Sequence, residues 1–160
     1  MKVGIVMGSK SDLPVVERAK SILTEFQIPY EIRIISAHRT PHAAEEFAKT
    51  AEEKDFGVII AAAGKAAHLG GVLAAFTPLP IIGLPIKSST LDGLDSLLSI
   101  VQMPKGVPVA TVAIDGAENA ALLAIQILSI GDASLREKMK AYKVKMEQDI
   151  MKQDQEMQEQ

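Results

Sequence analysis

The sequence predicts an α/β fold in which a parallel sheet of about five strands lies between two layers of helices. Five short apolar runs are typical of buried strands, and they occur at residues 2–7, 30–35, 57–62, 80–84 and 107–114. A helical pattern follows each run. This strict alternation favours parallel strands joined by right-handed crossovers, which gives a flavodoxin-like, three-layer αβα sandwich with an additional C-terminal helix.

The first two helices have recognisable start signals. Asp12 precedes the first helical pattern and can accept hydrogen bonds from the free amides of a first turn. The second helix is predicted to begin at Thr40-Pro41, because the fixed φ of proline suits the first helical position. Its buried face consists of Ala44, Phe47, Ala48 and Ala51. A third helix, at residues 66–76, is made mostly of small residues.

Two further helices are expected near the C-terminus. Residues 117–130 are apolar on almost every side, so this helix requires cover that one small domain hardly supplies. Ser134 and Glu137 form a capping-box pattern ahead of a last helix at about 133–152, and residues 153–160 are expected to be a frayed tail. The last helix carries an apolar stripe of Leu135, Met139, Tyr142, Met146 and Ile150. Packing on a neighbouring subunit and folding back onto the same domain explain this stripe equally well.

Composition limits the classes of protein to consider. A chain of 160 residues with 48% hydrophobic residues fits one catalytic domain spanning residues 1–160. The absence of cysteine excludes disulfides, thiolate metal sites and cysteine nucleophiles, and it favours the reducing cytoplasm. The net charge of -3 offers no general attraction for nucleic acid, and no apolar stretch approaches the roughly 20 residues that span a membrane. The apolar run at the amino terminus is too short for a signal peptide, so no export signal is expected.

Reactive side chains concentrate in the loops that leave the predicted strands. In open parallel sheets, ligands bind beyond the carboxyl ends of the strands. The loops that enter strands contain little besides connector residues. The four loops that leave strands are Gly8-Ser9-Lys10-Ser11-Asp12, Ser36-Ala37-His38-Arg39-Thr40, Gly64-Lys65-Ala66-Ala67-His68-Leu69-Gly70-Gly71 and Lys87-Ser88-Ser89. They are predicted to converge on one cleft.

The first of these loops is a candidate anion site. Small residues and hydroxyls stand just before a helix, where unpaired amides and the helix dipole favour a phosphate. An ordinary turn closed by Asp12 is the alternative. The Walker pattern fails at Gly64-Lys65-Ala66, and no Gly-x-Gly-x-x-Gly follows the first strand, so bound ATP or NAD is not indicated.

Histidines supply the candidates for proton transfer. His38 stands beside Arg39 at a strand end, and this pairing suits acid/base chemistry next to a held phosphate. A surface histidine beside a solvated arginine is the alternative. His68 either reaches the ligand or is structural, and His42 is assigned to the first turn of its helix. No cluster of histidines and carboxylates has metal-ligand spacing, so no metal is expected.

Together, these loops and a later string closely resemble one family. The strings are Gly8-Ser9-Lys10-Ser11-Asp12, Ser36-Ala37-His38-Arg39-Thr40-Pro41, Ala63-Gly64-Lys65-Ala66-Ala67-His68-Leu69 and Leu98-Ser99-Ile100-Val101-Gln102-Met103-Pro104. They resemble the 5-(carboxyamino)imidazole ribonucleotide mutases of purine biosynthesis, the mutase branch of the PurE family. The resemblance covers residues 3 to about 130. It implies a cytoplasmic homo-octamer that moves a carboxylate from the exocyclic nitrogen to carbon 4 of a phosphorylated imidazole ribonucleotide, without a cofactor.

The resemblance also implies roles for particular residues. His38 corresponds to the proposed acid/base, Ser9 and Arg39 to phosphate ligands, and Asp12 to a ligand on the ribose side. The other implied substrate-binding residues are Gly8, Ser11, Ser36, Ala37, Gly64, Lys65, Ala66, His68 and Leu69. Two positions depart from the family pattern: Lys65 replaces a small residue, and Gly70 replaces a proline. Lys65 either contacts the migrating carboxylate or points to solvent.

Three other functions compete with the mutase interpretation of the sequence. The departures at Lys65 and Gly70 leave room for the related carboxylase, which uses free carbon dioxide and the uncarboxylated nucleotide. A phosphoacceptor receiver domain needs an aspartate at the end of strand three, and none occurs between residues 57 and 91. A nucleotide-binding module without catalysis stays open. His38 discriminates against that module, because binding alone does not require it.

Overall fold

The computed structural model describes residues 1–159 and contains a five-stranded sheet in which every neighbouring pair is parallel. The strands are β1 (Lys2–Met7), β2 (Tyr30–Ile34), β3 (Phe56–Gly64), β4 (Ile81–Ile86) and β5 (Ala110–Thr111). Their order in the sheet is β2-β1-β3-β4-β5. The predicted flavodoxin-like architecture is therefore confirmed.

Within residues 1–159, six α-helices and two short 3-10 turns lie between or after the strands. The helices are α1 (Leu13–Glu25), α2 (Pro41–Thr50), α3 (Leu69–Ala74), α4 (Leu94–Val101), α5 (Ala117–Leu128) and α6 (Ala133–Gln158). The 3-10 turns cover Lys10–Asp12 and Leu91–Gly93. Among residues 1–159, no helix combines the length and apolar character that crossing a membrane requires.

The core forms on both faces of the sheet. On one face, Ile5, Ile60 and Ile82 pack with apolar residues of α1 and α5. On the other face, Ile59 packs with Phe47 of α2 and with residues of α3. Side chains of β3 therefore alternate between two buried layers, which explains why its sequence is apolar without interruption. Each fully buried isoleucine contributes about 1.5–3 kcal/mol of transfer free energy.

The sheet register places the strand ends side by side. Met7, the last residue of β1, pairs with Ile34 of β2 and with Ala62 of β3. The chain crosses from β2 over β1 to reach β3, so the strand order reverses at β1. A crevice opens at such a switch point, beyond the carboxyl ends of the strands. The loops after these strands are thereby brought to one edge.

Several predicted boundaries differ from the structure. β5 contains two residues instead of residues 107–114, because only Ala110 and Thr111 pair with β4. α3 begins at Leu69, three residues later than predicted, after Lys65 has adopted a left-handed backbone conformation. The helical cap before α6 is Asp132 instead of Ser134, since an Asp132 carboxylate oxygen accepts a 3.0 Å hydrogen bond from the amide of Leu135.

The C-terminal region also corrects one expectation and bears on another. The tail predicted to fray from residue 153 is helical through Gln158, and residue 160 lies outside the described residues. Apolar residues of α5 find cover within the chain, because Ala120, Ala121 and Ala124 are fully buried and α5 packs against α1. Leu122, Leu123 and Ile127 are only partly buried and Ile130 is exposed, so external cover of this side of the helix stays a prediction.

The apolar stripe of α6 divides into two parts. Leu135 and Met139 are buried, and the Tyr142 ring lies 5.4 Å from that of Phe26 between centroids. This first part folds back onto the same domain. The second part, which contains Met146 and Ile150, is exposed in the single chain. Folding back onto the same domain is thus confirmed for the first part, and packing of the second part on a neighbouring subunit stays a prediction.

Candidate active site

The loops that follow β1, β2, β3 and β4 line one cleft of about 720 Å³ at the carboxyl edge of the sheet. The predicted site residues that line it are Gly8, Ser9, Ser11, Asp12, Ser36, Ala37, His38, Arg39, Gly64, Lys65, Ala66 and Leu69. The cleft is also lined by residues to which no binding role was assigned, namely Ala63, Ala67, Ile86, Lys87, Ser88 and Ser89. The predicted convergence of four loops is therefore confirmed.

The loop after β1 is closed by reciprocal hydrogen bonds. The Ser9 hydroxyl oxygen accepts a hydrogen bond from the amide of Ser11 at 3.3 Å. One Asp12 carboxylate oxygen accepts from the amide of Ser9 at 3.2 Å, and the other accepts from the Ser11 hydroxyl at 3.2 Å. Asp12 thus makes no side-chain hydrogen bond to the first turn of α1, contrary to the sequence prediction. Its carboxylate turns back and holds the loop in shape for a ligand.

Asp12 is an unusually desolvated carboxyl group for a cleft wall. The residue is only 7% exposed, yet it lines the cleft. Burial raises the pKa of the Asp12 carboxyl, while hydrogen bonds from Ser11 and Ser9 and the positive charge of Arg39 oppose this rise. A carboxylate in this setting is a strong acceptor for a ligand hydroxyl, because little water competes for it.

Arg39 connects two loops. Its Nη2 donates to the carbonyl oxygen of Gly8 at 2.8 Å, and its Nε donates to the Ser36 hydroxyl oxygen at 3.2 Å. The amide of Arg39 donates to the same Ser36 oxygen at 3.2 Å. Because a guanidinium has five N–H groups, these contacts leave others for an anionic ligand. The arginine is held in place before any ligand arrives.

His38 lies in the same turn and has an exposed side chain that lines the cleft. The turn is fixed by Thr40, whose hydroxyl accepts from the amide of Ser36 at 2.9 Å and donates to the Ser36 carbonyl oxygen at 3.0 Å. The backbone that carries His38 is therefore rigid, while the imidazole is accessible from the cleft. This arrangement suits a group that exchanges protons with a bound molecule.

The loop after β3 contributes backbone and one cation. Gly64 ends the strand, and Lys65 follows with a φ of 57°. His68 is the predicted site residue that does not line the cleft. Its ring lies over Gly71, where an added Cβ would be 1.9 Å from Nε2, and its Nδ1 is buried without a hydrogen-bond partner. His68 thus packs against its own helix.

The loop after β4 is anchored by acidic residues. Lys87 Nζ lies 2.7 Å from an Asp92 carboxylate oxygen, and the Lys87 amide donates to the Asp115 carboxylate at 2.8 Å. The Ser88 hydroxyl donates to the Asp95 carboxylate at 3.2 Å. The residues of this loop match no binding motif. Its place in the cleft was predictable from the sequence only because it follows a strand.

The charges of the cleft favour an anionic ligand. Three cationic side chains line it, on three different loops: Arg39, Lys65 and Lys87. Among the lining residues, Asp12 supplies the one carboxylate. Within residues 1–159, no group of three or more histidine and acidic side chains is arranged to hold a metal ion. The cleft can therefore bind a small phosphorylated molecule and offer it an imidazole.

Comparison with known proteins agrees with this geometry. The chain is 63% identical over 145 residues to N5-carboxyaminoimidazole ribonucleotide mutase of Pyrococcus abyssi, which covers 91% of this chain and 83% of that protein. It is 59% identical over 150 residues to the mutase of Thermotoga maritima, with 94% and 88% covered. It is also 54% identical over 149 residues to phosphoribosylaminoimidazole carboxylase of Saccharomyces cerevisiae, which covers 93% of this chain but 26% of the yeast protein.

Solved structures and a family model lead to the same assignment. The crystal structure of Treponema denticola PurE superposes with a TM-score of 0.88 at 34% identity and covers 96% of each chain. The family model described as AIR carboxylase matches residues 2–149. Since this match includes nearly all of the chain and every loop of the cleft, the chain belongs to the AIR carboxylase family.

Proposed function

We propose that this protein is an N5-carboxyaminoimidazole ribonucleotide mutase of purine biosynthesis. It converts 5-carboxyamino-1-(5-phosphoribosyl)imidazole to 5-amino-1-(5-phosphoribosyl)imidazole-4-carboxylate. The observation that carries the proposal is the convergence of His38, Arg39 and the Ser9–Asp12 turn in one cleft. Relatives with this activity in their names are 59–63% identical and match over more than four fifths of their own length.

The substrate is held at its phosphate and ribose. Ser9 and the remaining N–H groups of Arg39 bind the phosphate, where charge-assisted hydrogen bonds are strongest. Asp12 accepts hydrogen bonds from the ribose hydroxyls. Gly8, Ser11, Ser36 and Ala37 shape the wall beside these groups, and Gly64, Ala66 and Leu69 shape the wall around the imidazole. His68 supports that wall from behind by its packing on Gly71.

His38 transfers the protons. It first protonates the carbamate nitrogen while the bond from nitrogen to the carboxyl carbon breaks, so that the bonding electron pair stays on nitrogen and carbon dioxide is released. Carbon 4 of the imidazole then attacks the trapped carbon dioxide, and the neutral imidazole of His38 removes the proton from carbon 4. The proton that His38 donates during decarboxylation is therefore recovered from carbon 4 after recarboxylation.

The reaction requires neither a redox cofactor nor the hydrolysis of ATP. No electron is gained or lost overall, and the catalytic histidine returns to its starting protonation state. The chain also contains no nucleotide fingerprint of the Walker or Gly-x-Gly-x-x-Gly type. We therefore expect activity without ATP, a nicotinamide, biotin or a metal, and no role for nucleic acid or membrane partners.

The protein acts as a homo-octamer in the cytoplasm, each subunit being one catalytic domain of residues 1–160. Support for assembly comes from exposed apolar residues on one side of α4 and on the distal half of α6. Leu94, Leu98 and Val101 are 47%, 51% and 43% exposed in the single chain, at helical spacing. An apolar stripe of this kind is typical of an interface between subunits.

The alternative activity is carboxylation of the uncarboxylated nucleotide by free carbon dioxide. The 54% identity to the yeast carboxylase does not distinguish the two activities, because the match includes about a quarter of that protein. Lys65 and Gly70, the two departures from the family pattern, lie in or beside the loop that faces the imidazole in this proposal. They are the first residues to examine if the mutase assignment fails.

A label-retention experiment separates the two activities. The carbamate substrate, labelled in its carboxyl carbon, is mixed with enzyme in excess unlabelled bicarbonate and a chelator, and the carbon-carboxylated product is analysed by mass spectrometry. A mutase retains most of the label, because carbon dioxide stays in the cleft between the two steps. A mainly unlabelled product, or a product that forms only from the decarboxylated nucleotide and bicarbonate, would refute the mutase proposal. A reaction without enzyme measures spontaneous loss of the label.

A further inference from the structure

Lys65 occupies a backbone conformation that normally favours glycine. Its φ is 57°, in the left-handed region, and it directly follows Gly64, whose φ is not positive. A lysine in this region is less stable than a glycine, because its Cβ crowds the backbone. The left-handed conformation therefore falls on Lys65, where it costs conformational energy, and not on Gly64, where it would cost little. Such local strain is a reason to look for a function of the side chain.

Of the three cations that line the cleft, Lys65 is the one whose side chain has no salt-bridge or hydrogen-bond partner among residues 1–159. Lys87 pairs with Asp92 at 2.7 Å, and Arg39 donates to Gly8 and Ser36. No salt bridge or side-chain hydrogen bond involves Lys65, which is exposed and lines the cleft. Its charge is therefore available to a ligand.

The strand order indicates which end of the ligand Lys65 meets. Ser9 follows β1 and Arg39 follows β2, whereas Lys65 follows β3, which borders β1 on the side opposite to β2. Neighbouring strands lie about 4.8 Å apart, so a nucleotide phosphate at the first two loops leaves the imidazole near the third. That imidazole carries the second anionic group of the ligand, its carboxylate.

From this geometry we propose that Lys65 binds the carboxylate of the substrate and of the product, and that this contact is the reason for its strained backbone. The inference rests on the proposed mutase function. Lys65 then selects carboxylated nucleotides over the decarboxylated nucleotide, and it retains the carboxyl group near His38 during transfer. Lys65 is in this view a specificity residue added to the phosphate and ribose ligands.

The test combines binding and stability measurements on intact protein. Titration calorimetry gives the affinities of wild type, Lys65→Gln, Lys65→Arg and Lys65→Gly for two ligands, the carbon-carboxylated product and the decarboxylated nucleotide. Lys65→Gln should weaken product binding about three- to tenfold, the range of a partly exposed charged contact, and leave binding of the decarboxylated nucleotide within about twofold. Lys65→Arg, which keeps the charge, should restore most of the selectivity.

Lys65→Gly separates the backbone effect from the charge effect. It should raise Tm by about 1–4 °C, because glycine relieves the left-handed conformation, while it loses the same preference for the product. Asp55→Gly is the matched control, since Asp55 has a φ of 63° at the other end of β3, away from the cleft. That variant should leave both affinities unchanged.

Distinct outcomes overturn the proposal. Equal loss of affinity for both nucleotides in Lys65→Gln would place the lysine on the phosphate or ribose instead, and unchanged affinity for both would remove it from binding. Either result leaves the mutase function intact, provided that wild type converts the carbamate with retention of label. A wild type that neither binds nor converts these nucleotides would overturn the proposed function together with this inference.

Discussion

Arg39 donates a hydrogen bond to the carbonyl oxygen of Gly8 over 2.8 Å and so ties the loop after β2 to the loop after β1. The amide of Gly8 in turn donates to the carbonyl oxygen of Ala62 in β3 at 3.2 Å. Three adjacent strand ends are therefore linked through one glycine. The groups assigned to phosphate binding and proton transfer stand on this shared support, so their relative positions are set before substrate binds.

Replacement of Arg39 by alanine should weaken substrate binding by about 1.5–3 kcal/mol, the usual size of a charged hydrogen bond. The loss has two sources, because the variant removes the proposed phosphate ligand and also releases the Gly8 loop. Titration calorimetry with the product nucleotide measures it. Arg33→Ala is the matched control, since Arg33 is exposed on β2 and pairs with Glu31 outside the cleft. Unchanged affinity in Arg39→Ala would contradict the assignment.

His38→Asn should abolish turnover while nucleotide binding is largely retained. Asparagine cannot exchange a proton near neutral pH, whereas the phosphate and ribose ligands are unaffected. Steady-state rates and calorimetric affinities are compared with those of His42→Asn, which alters an exposed histidine four residues further on, outside the cleft. Near-normal turnover in His38→Asn would remove the imidazole from the mechanism.

The raised pKa of Asp12 gives a pH-dependent prediction. A raised pKa means that the folded chain binds this proton more tightly than the unfolded chain, so folding stability falls as pH rises from the usual value of 3.8 through the folded pKa. Asp12→Asn removes this contribution and can still accept a hydrogen bond. The Tm of the variant minus that of wild type should therefore be larger at pH 7 than at pH 4. A difference that is independent of pH would show that desolvation of this carboxyl is unimportant.

The sequence predicts the parts of this molecule that depend on local pattern. The alternation of apolar runs and helices is sufficient for the sheet, and Thr40-Pro41 is sufficient for the start of α2. Parts that depend on tertiary partners are not predictable in this way. The length of β5 depends on pairing with Ile82 and Gly83, and the direction of the Asp12 carboxylate depends on competition between Ser9 and the first turn of α1.

The cleft shows the same division. The loops that line the cleft follow from the rule that ligands bind at the carboxyl ends of parallel strands. This rule correctly predicts that Lys65 and Arg39 line the cleft. The orientation of a single side chain does not follow from that rule. His68 stands in a cleft loop by sequence, but the missing Cβ of Gly71 leaves a space that its ring fills.

The exposed side of α4 should be an interface between subunits. Leu98→Asp places a charge in the middle of the apolar stripe formed with Leu94 and Val101, and burying an unpaired charge is costly. Native mass spectrometry at micromolar concentration should find an octamer for wild type and smaller species for this variant. Leu98→Met, which conserves volume and charge, should leave the assembly intact. A wild-type protein that is monomeric at this concentration would contradict the proposed assembly.

Two neighbouring glycines at the start of α3 should respond in opposite ways to alanine. Neither Gly70 nor Gly71 has a positive φ, so backbone conformation does not require glycine at either position. A Cβ added to Gly70 would lie 3.5 Å from Val109 and 3.7 Å from Ala61, which are ordinary contacts. Gly70→Ala should therefore raise the free energy of unfolding by about 0.4–1 kcal/mol, because alanine has less conformational freedom in the unfolded chain.

The same Cβ on Gly71 would lie 1.9 Å from the His68 ring nitrogen, so Gly71→Ala must displace the imidazole or the helix. It should destabilise the fold by about 1–3 kcal/mol, the usual cost of overpacking. Denaturant unfolding of both variants measures the difference. Gly71→Ala should also lower turnover, since a displaced His68 disturbs the loop that carries Lys65. If both variants were equally stable, the packing of His68 on Gly71 would not be what fixes this loop.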